Sequence, residues 1–246
     1  MSLVVTTYIP EGIIMASDSR QSLTVAGKNA EGKDFNLETI NSDSVTKTFL
    51  LEKQKIGISN FGQDLLGGVP MASHIKRFKE EIVGDSDDVE VIASKIGDFF
   101  RKEFPDADTG FQIGGYKKDS KVSVPYVFYV HVSRKVLERR NEKPDKNIAY
   151  GATWSGQVDV LTGIMQPSLL PGPDGKIQQI NKAPIIWDAM ALQDAIDFSV
   201  YAIRTTIDTI RFQARPKNVG GSIDILAITP DGANWIQKKE LYGESR

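Results

Sequence analysis

Chemistry in this chain has an obvious place to start at Ser2, a small residue directly after the first methionine. Removal of Met1 would leave a serine hydroxyl beside its own α-amine. Such an amine has a pKa of about 8, so a useful share of it is neutral near pH 7. A neutral amine can take the hydroxyl proton, directly or through one water, and so activate a weak nucleophile. A lysine held nearby would favour both the alkoxide and the neutral amine, and a carboxylate would keep that lysine charged and oriented. The outcome would be amide hydrolysis through an acyl-enzyme ester. A Met-Ser-Leu start is equally what a cloning vector leaves behind.

Other chemistries find less support. The chain has no cysteine, which excludes disulfides, thiolate metal sites and a thiol nucleophile. His74 and His131 have no second histidine at metal-ligand spacing, so both read as structural, and no metal or cofactor is expected. Gly151-Ala152-Thr153-Trp154-Ser155-Gly156 lacks the glycine two before Ser155 that a nucleophile elbow needs. Ala26-Gly27-Lys28 and Glu31-Gly32-Lys33 lack the order of a phosphate-binding loop. A formal net charge of −2 gives no basic field for nucleic acid. No apolar run reaches the length of a membrane span, and the first residues do not read as a signal peptide. The absence of cysteine fits a reducing cytoplasm.

The elements that must hold these groups follow from periodicity and turn residues. Val4–Ile9, the turn Pro10-Glu11-Gly12 and Ile13–Ala16 predict a β-hairpin that ends at Asp18-Ser19-Arg20. Residues 21–44 are polar with scattered Gly and Asn and read as a long loop or loosely ordered excursion. Val45–Leu51 and Ile56–Asn60 read as strands. A helix is expected between about Asp64 and Val83, its regular part starting near Pro70, and a second after the cap Ser86-Asp87-Asp88. Strands are expected again at Phe111–Tyr116, Val124–Ser133, Lys135–Arg139 and Ile148–Ala152. Residues 166–184, rich in Pro and Gly, read as loop. A long amphipathic helix over Leu192–Phe212 precedes a closing hairpin at Ile223–Ile228 and Asn234–Gln237. Strands, two helices, strands, helix, strands is an α+β order in one domain spanning residues 1–246.

Ser2 to Arg20, with its Glu11-Gly12 turn, its Ile13-Ile14-Met15-Ala16 strand and the Asp18-Ser19-Arg20 triplet, resembles the first hairpin of proteasome β subunits and their bacterial relatives. Those proteins are amino-terminal-nucleophile (Ntn) hydrolases. In that family an Asp lies sixteen positions after the nucleophile, and sixteen before Asp18 is Ser2. Val45-Thr46-Lys47-Thr48-Phe49 is similar to the strand that carries the family's lysine, with an insertion in residues 21–44. Gly57 to Gly62 is similar to the strand and turn that follow, and Gly220-Gly221-Ser222-Ile223-Asp224-Ile225 to the family's end. The resemblance implies a four-layer α-β-β-α sandwich of two antiparallel sheets. It implies catalytic roles for Ser2, Asp18 and Lys47, and oxyanion or supporting roles for Phe61, Gly62 and Ser155. The family's Gly-Ser-Gly turn corresponds most nearly to Gly151-Ala152-Thr153, with Ser155 as a substitute for its serine. Arg215-Pro216-Lys217-Asn218-Val219 lacks the Asp and Ser that the family carries before the paired glycines. Thr6 and Thr7 lie too close to Asp18 for the family's spacing and read as mid-strand residues.

What the resemblance implies about function is cleavage of peptide bonds in peptide or protein substrates by a cytoplasmic homo-oligomer, often a ring. Two other readings stay open. One is a non-catalytic subunit that keeps the fold for assembly; the other is a small-molecule amidase on the same scaffold.

Overall fold

Leu3–Ile9 (β1) is a run of β-branched and aromatic residues, and every one of its side chains is buried. A strand buried on both faces reads as a continuous apolar run rather than an alternating one, and β1 lies inside a five-stranded sheet. The computed structural model describes residues 2–119, 122–180 and 182–241. After β1 come β2 (Gly12–Ser17), β3 (Gln21–Lys28), β4 (Asp34–Ser42), β5 (Thr48–Leu51), β6 (Ile56–Gly62) and the short pair β7 (Leu65–Leu66) and β8 (Val69–Pro70). Helices α1 (Met71–Glu81) and α2 (Val89–Glu103) follow, then β9 (Thr109–Asp119), β10 (Val122–His131), β11 (Val136–Arg139) and β12 (Gly151–Gly156). Helix α3 (Asp159–Met165), β13 (Ser168–Pro171), β14 (Ile177–Ile180), α4 (Leu192–Phe212), β15 (Asp224–Ile228) and β16 (Ala233–Gln237) complete the chain.

The strands form two five-stranded antiparallel sheets. One has the order β12-β1-β2-β15-β16, the other β11-β10-β9-β6-β5. Strand alternation sends Leu3, Val5 and Ile9 of β1 into a cluster with Leu161 of α3 and Ala195, Ala202 and Ile203 of α4. Tyr8, Ile13 and Met15, on the opposite face of the same sheet, meet Val127 of β10. A third cluster joins Ile58, Phe111 and Val130 of the second sheet to Phe78 of α1 and Ile92, Ile96 and Phe100 of α2. The sheets approach closely at Gly57, where a Cβ would lie 2.4 Å from Met15 Sδ. The fold is thus mixed, with antiparallel sheets and four α-helices among the described residues.

Helix ends follow the expected chemistry. Asp88 caps α2, its side chain accepting from the Glu90 and Val91 N–H groups at 3.0 Å each. Pro70 immediately precedes α1. Helix α4 is tied to β1 by Ser199, whose hydroxyl lies 2.9 Å from Thr7 Oγ1.

Three expectations need correction. Residues 21–44 are not a loop, since β3 and β4 pair over their whole length with Val25 opposite Leu37. Residues 166–184 likewise contain the β13–β14 hairpin. Both hairpins form sheets of their own, and their apolar residues are exposed, so no burial pattern marks them in the sequence. The strand expected at Ile148–Ala152 is β12, shifted to Gly151–Gly156, and α3 directly after it was not foreseen.

Candidate active site

The β1–β2 hairpin sets the start of the site. Val4 pairs with Ser17, and the Asp18 N–H donates to the Leu3 carbonyl at 3.2 Å. This register folds Asp18 back onto the beginning of the chain. Its carboxylate accepts four hydrogen bonds. Oδ1 takes the Leu3 N–H at 2.9 Å and the Lys47 ammonium at 2.7 Å. Oδ2 takes the Gly220 N–H at 3.0 Å and the Arg20 N–H at 3.2 Å. Four donors fill the acceptor capacity of an ionised carboxylate, so Asp18 holds its neighbours and has no lone pair to spare as a base.

Lys47 comes from the segment just before β5. That segment is strung between two others, with the Val45 N–H on the Ser19 carbonyl and the Asn60 N–H on the Lys47 carbonyl. Beside it Thr48 Oγ1 donates to Ser17 Oγ at 2.9 Å and lies 2.8 Å from Ser59 Oγ, joining β2, β5 and β6. The Lys47 Nζ also donates to the Arg20 carbonyl at 2.6 Å. The side chains of Lys47 and Asp18 are 1% and 0% exposed, so this is a fully buried ion pair. Burying two charges is costly unless geometry and extra hydrogen bonds compensate, and both conditions are met here.

Ser2 is buried, and its carbonyl accepts from the Gln157 N–H at 2.8 Å. Leu3 pairs with Gly156, whose φ is +96°. A Cβ on Gly156 would sit 1.8 Å from the Ser2 carbonyl oxygen, so only glycine lets β12 run this close to residue 2. Continuing the alternation of β1 puts Ser2 on the face of Val4, Thr6 and Tyr8, toward the second sheet. On that face Thr6 Oγ1 donates to Gln112 Oε1 at 2.6 Å, and Gln112 Nε2 donates to Ser155 Oγ at 2.9 Å. Met1 lies outside the described residues.

The expected site residues therefore divide. Asp18 and Lys47 are in direct contact, and one carboxylate oxygen bridges Lys47 Nζ to the amide that follows Ser2. Ser155 stands opposite Val4 on the strand that flanks the chain start. Gly151, Ala152 and Thr153 are not a turn there; they pair with Tyr8, Thr7 and Thr6 further along β1. The segment that meets residue 2 is Ser155-Gly156-Gln157, brought there by the pairing of β12 with β1 and not by any local motif. Phe61 and Gly62 end β6 opposite Gly110 and Thr109, with the Phe61 carbonyl accepting from Thr109 Oγ1. The Phe61 ring stacks on Tyr129 at 5.5 Å. No hydrogen bond among the described residues links Phe61 or Gly62 to Ser2, Asp18 or Lys47; both instead line a cleft with Ser155 and Gly156.

Two further contacts escaped the sequence reading. The Arg20 guanidinium grips both oxygens of Asp43 at 2.6 and 2.8 Å and donates to the Lys217 carbonyl at 2.9 Å. The hydrogen bonding from Arg20 holds the Asp43 carboxyl below its ordinary range. The clamp fixes the foot of the β3–β4 hairpin beside Lys47. In the stretch Arg215–Val219, the buried Asn218 donates its amide to Gln157 Oε1 at 2.9 Å, bracing the residue that holds the Ser2 carbonyl. His74 is a packing residue, 3.1 Å from the Leu66 carbonyl and edge-on to Phe104. Among the described residues no group of three or more His, Cys, Asp or Glu side chains could hold a metal ion. No helix there is long and apolar enough to cross a membrane.

No family model matches this chain, and no curated protein does. Its fold matches a solved structure of Anbu, a Gly-1 mutant from Hyphomicrobium sp. strain MC1. The TM-score is 0.60 and the identity 14%, over 97% of this chain and 86% of that one. Anbu is a bacterial proteasome-like protein with the Ntn hydrolase fold, and the likeness extends to the fold.

Proposed function

We propose that this chain is an Ntn hydrolase that cuts peptide bonds with the hydroxyl of Ser2, once the bond before Ser2 is broken and its amine is free. The observation that carries the reading is the oxygen of Asp18 shared between Lys47 Nζ and the Leu3 N–H. It ties a buried ammonium to the backbone of the residue after the nucleophile.

In this reading the freed amine takes the Ser2 hydroxyl proton, directly or through a water, as Oγ attacks the substrate carbonyl carbon. Lys47 supplies positive charge that favours the alkoxide and the neutral amine. The Asp18 carboxylate and the Arg20 carbonyl keep that ammonium in one place. The oxyanion of the tetrahedral intermediate is received by backbone N–H groups at Phe61–Gly62, where loss of one such donor costs about 3–4 kcal/mol. The ammonium formed on residue 2 returns its proton to the leaving amine, which leaves an ester on Ser2 Oγ. A water, deprotonated by the same amine, then hydrolyses that ester. Gln112, Ser155 and Asn218 position the backbone around Ser2.

The reading includes a four-layer arrangement, α3 and α4 outside the first sheet and α1 and α2 outside the second, supported by the three apolar clusters. It also includes a cytoplasmic homo-oligomer acting on peptides or proteins. A non-catalytic assembly subunit is the second reading, favoured by the amide of Asn218 where the resembling family places an acid and a hydroxyl. Turnover of fluorogenic peptides decides between them. The hydrolase reading expects cleavage by protein with a free Ser2 amine and none by Ser2→Ala. Absence of cleavage from such protein favours the assembly subunit.

A further inference from the structure

A cleft of about 370 Å³ opens from the site along the gap between β12 and the end of β6. It begins at Gly156, the residue packed on the Ser2 carbonyl, and at Phe61–Gly62, the segment assigned to the oxyanion. Phe61 and Tyr129, whose rings stack at 5.5 Å, line it, and β12 contributes its backbone at Trp154, whose indole turns the other way to donate to Thr162 Oγ1 of α3 at 3.4 Å. Two guanidinium groups reach it, from Arg134 and Arg140, against one carboxylate, from Asp108. The Arg140 guanidinium lies 4.6 Å over the Tyr129 ring and donates to Glu138 at 3.2 Å. Stacking of this kind fixes the plane of the guanidinium and presents its edge to a carboxylate. Arg134 Nη2 stands 3.8 Å from Asp108, whose Oδ1 is also 3.3 Å from Nε2 of the buried His131. The Arg134 N–H points at His131 Nδ1, 3.4 Å away, which leaves the ring proton on Nε2, facing Asp108. The acid of the cleft is thus served by a neutral donor as well as by an arginine, and the lining offers two guanidinium groups to one carboxylate, with Glu138 outside the lining on one edge of Arg140.

We propose that this cleft receives a carboxylate of the peptide being cut, so that the chain prefers substrates with an acidic residue or a free carboxyl terminus near the scissile bond. The proposal rests on the hydrolase reading for its place beside Ser2. The volume suits one or two side chains, not a folded domain. The aromatic walls take the aliphatic part of the residue, and the arginines take its charge in bidentate fashion.

The test uses the full chain and sets of matched peptides. One set differs only by Glu, Gln or Lys at each position around the scissile bond; another differs only by a terminal carboxylate or carboxamide. At one position Glu should exceed Gln by about fivefold in kcat/KM, the scale of a solvent-accessible ion pair. If the acid–amide pair shows the effect instead, the carboxylate is the terminal one, and the cleft still stands. In R134E/R140E the ratio of Glu to Lys peptides should invert. Equal cleavage of acidic and neutral peptides in both sets, or a preference that survives in R134E/R140E, overturns the proposal. If no peptide is cut, the hydrolase reading fails, and fluorescence anisotropy of the same peptides on Ser2→Ala protein judges the cleft by itself. Binding that needs the carboxylate and is lost in R134E/R140E supports it, and binding without that dependence, or none, overturns it.

Discussion

At the residue scale, the buried Asp18–Lys47 pair holds several backbone segments at once. Asp18 satisfies amides from residues 3, 20 and 220 as well as the ammonium, so removing it strands a charge and three N–H groups. Asp18→Ala is expected to cost about 3–5 kcal/mol, the scale for breaking a buried pair, measured as a fall in denaturant midpoint. Ser2→Ala, by contrast, should abolish cleavage and shift stability by less than about 1 kcal/mol, which separates chemistry from architecture. His131 gives a pH signature. Burial, the largest influence, and the nearby Arg134 push its imidazole below the ordinary 6.5, against the opposing pull of Asp108. The folded state therefore binds fewer protons than the unfolded state in that window, so stability rises with pH. The stability from His131 is fully present above about 6.5 and is lost as pH falls from there through the folded value. Denaturant unfolding between pH 7 and 5 should show this loss, and His131→Gln should flatten it; an unchanged slope in the variant contradicts the assignment.

At the element scale, the close approach of β12 to the chain start decides whether a site exists. Gly156→Ala places a methyl group against the Ser2 carbonyl at a φ of +96°. It should cost about 2 kcal/mol or more and depress cleavage further than it depresses the folded fraction, checked by unfolding and turnover on the same protein. The sequence made the buried elements readable. The run in β1, the periodicity of α4 and the cap at Asp88 each follow from a local rule, and the placing of Asp18 follows from the hairpin register. What stayed hidden has a common physical cause. The β3–β4 and β13–β14 hairpins pair only with themselves and bury little, so no alternation singles them out. The Ser155-Gly156-Gln157 segment, the Arg20–Asp43 clamp and the Asn218–Gln157 bond join residues far apart in the chain, which no spacing rule encodes. Lys47 was expected within a strand and instead lies just before β5.

At the scale of the whole molecule, the two hairpins present apolar side chains to solvent, Leu37 at 56% and Ile177 at 73% exposure. Two-stranded ribbons alone in water are marginal, and exposed apolar patches are where a partner would pack. Under the homo-oligomer reading, light scattering should find an assembly for the wild type and smaller species for Leu37→Glu and Ile177→Glu. A wild-type monomer contradicts it. The central claim concerns one residue that must offer a hydroxyl and a free amine together, beside the ammonium of Lys47. A peptide α′,β′-epoxyketone tests both groups at once, because its ketone is captured by the hydroxyl and its epoxide by the amine, closing a ring on a single residue. Mass mapping after incubation should find that double adduct on Ser2, and should find it neither in Lys47→Ala nor in protein that still carries a residue before Ser2. Protein shown to begin at Ser2, folded yet unlabelled there or labelled elsewhere, contradicts the account.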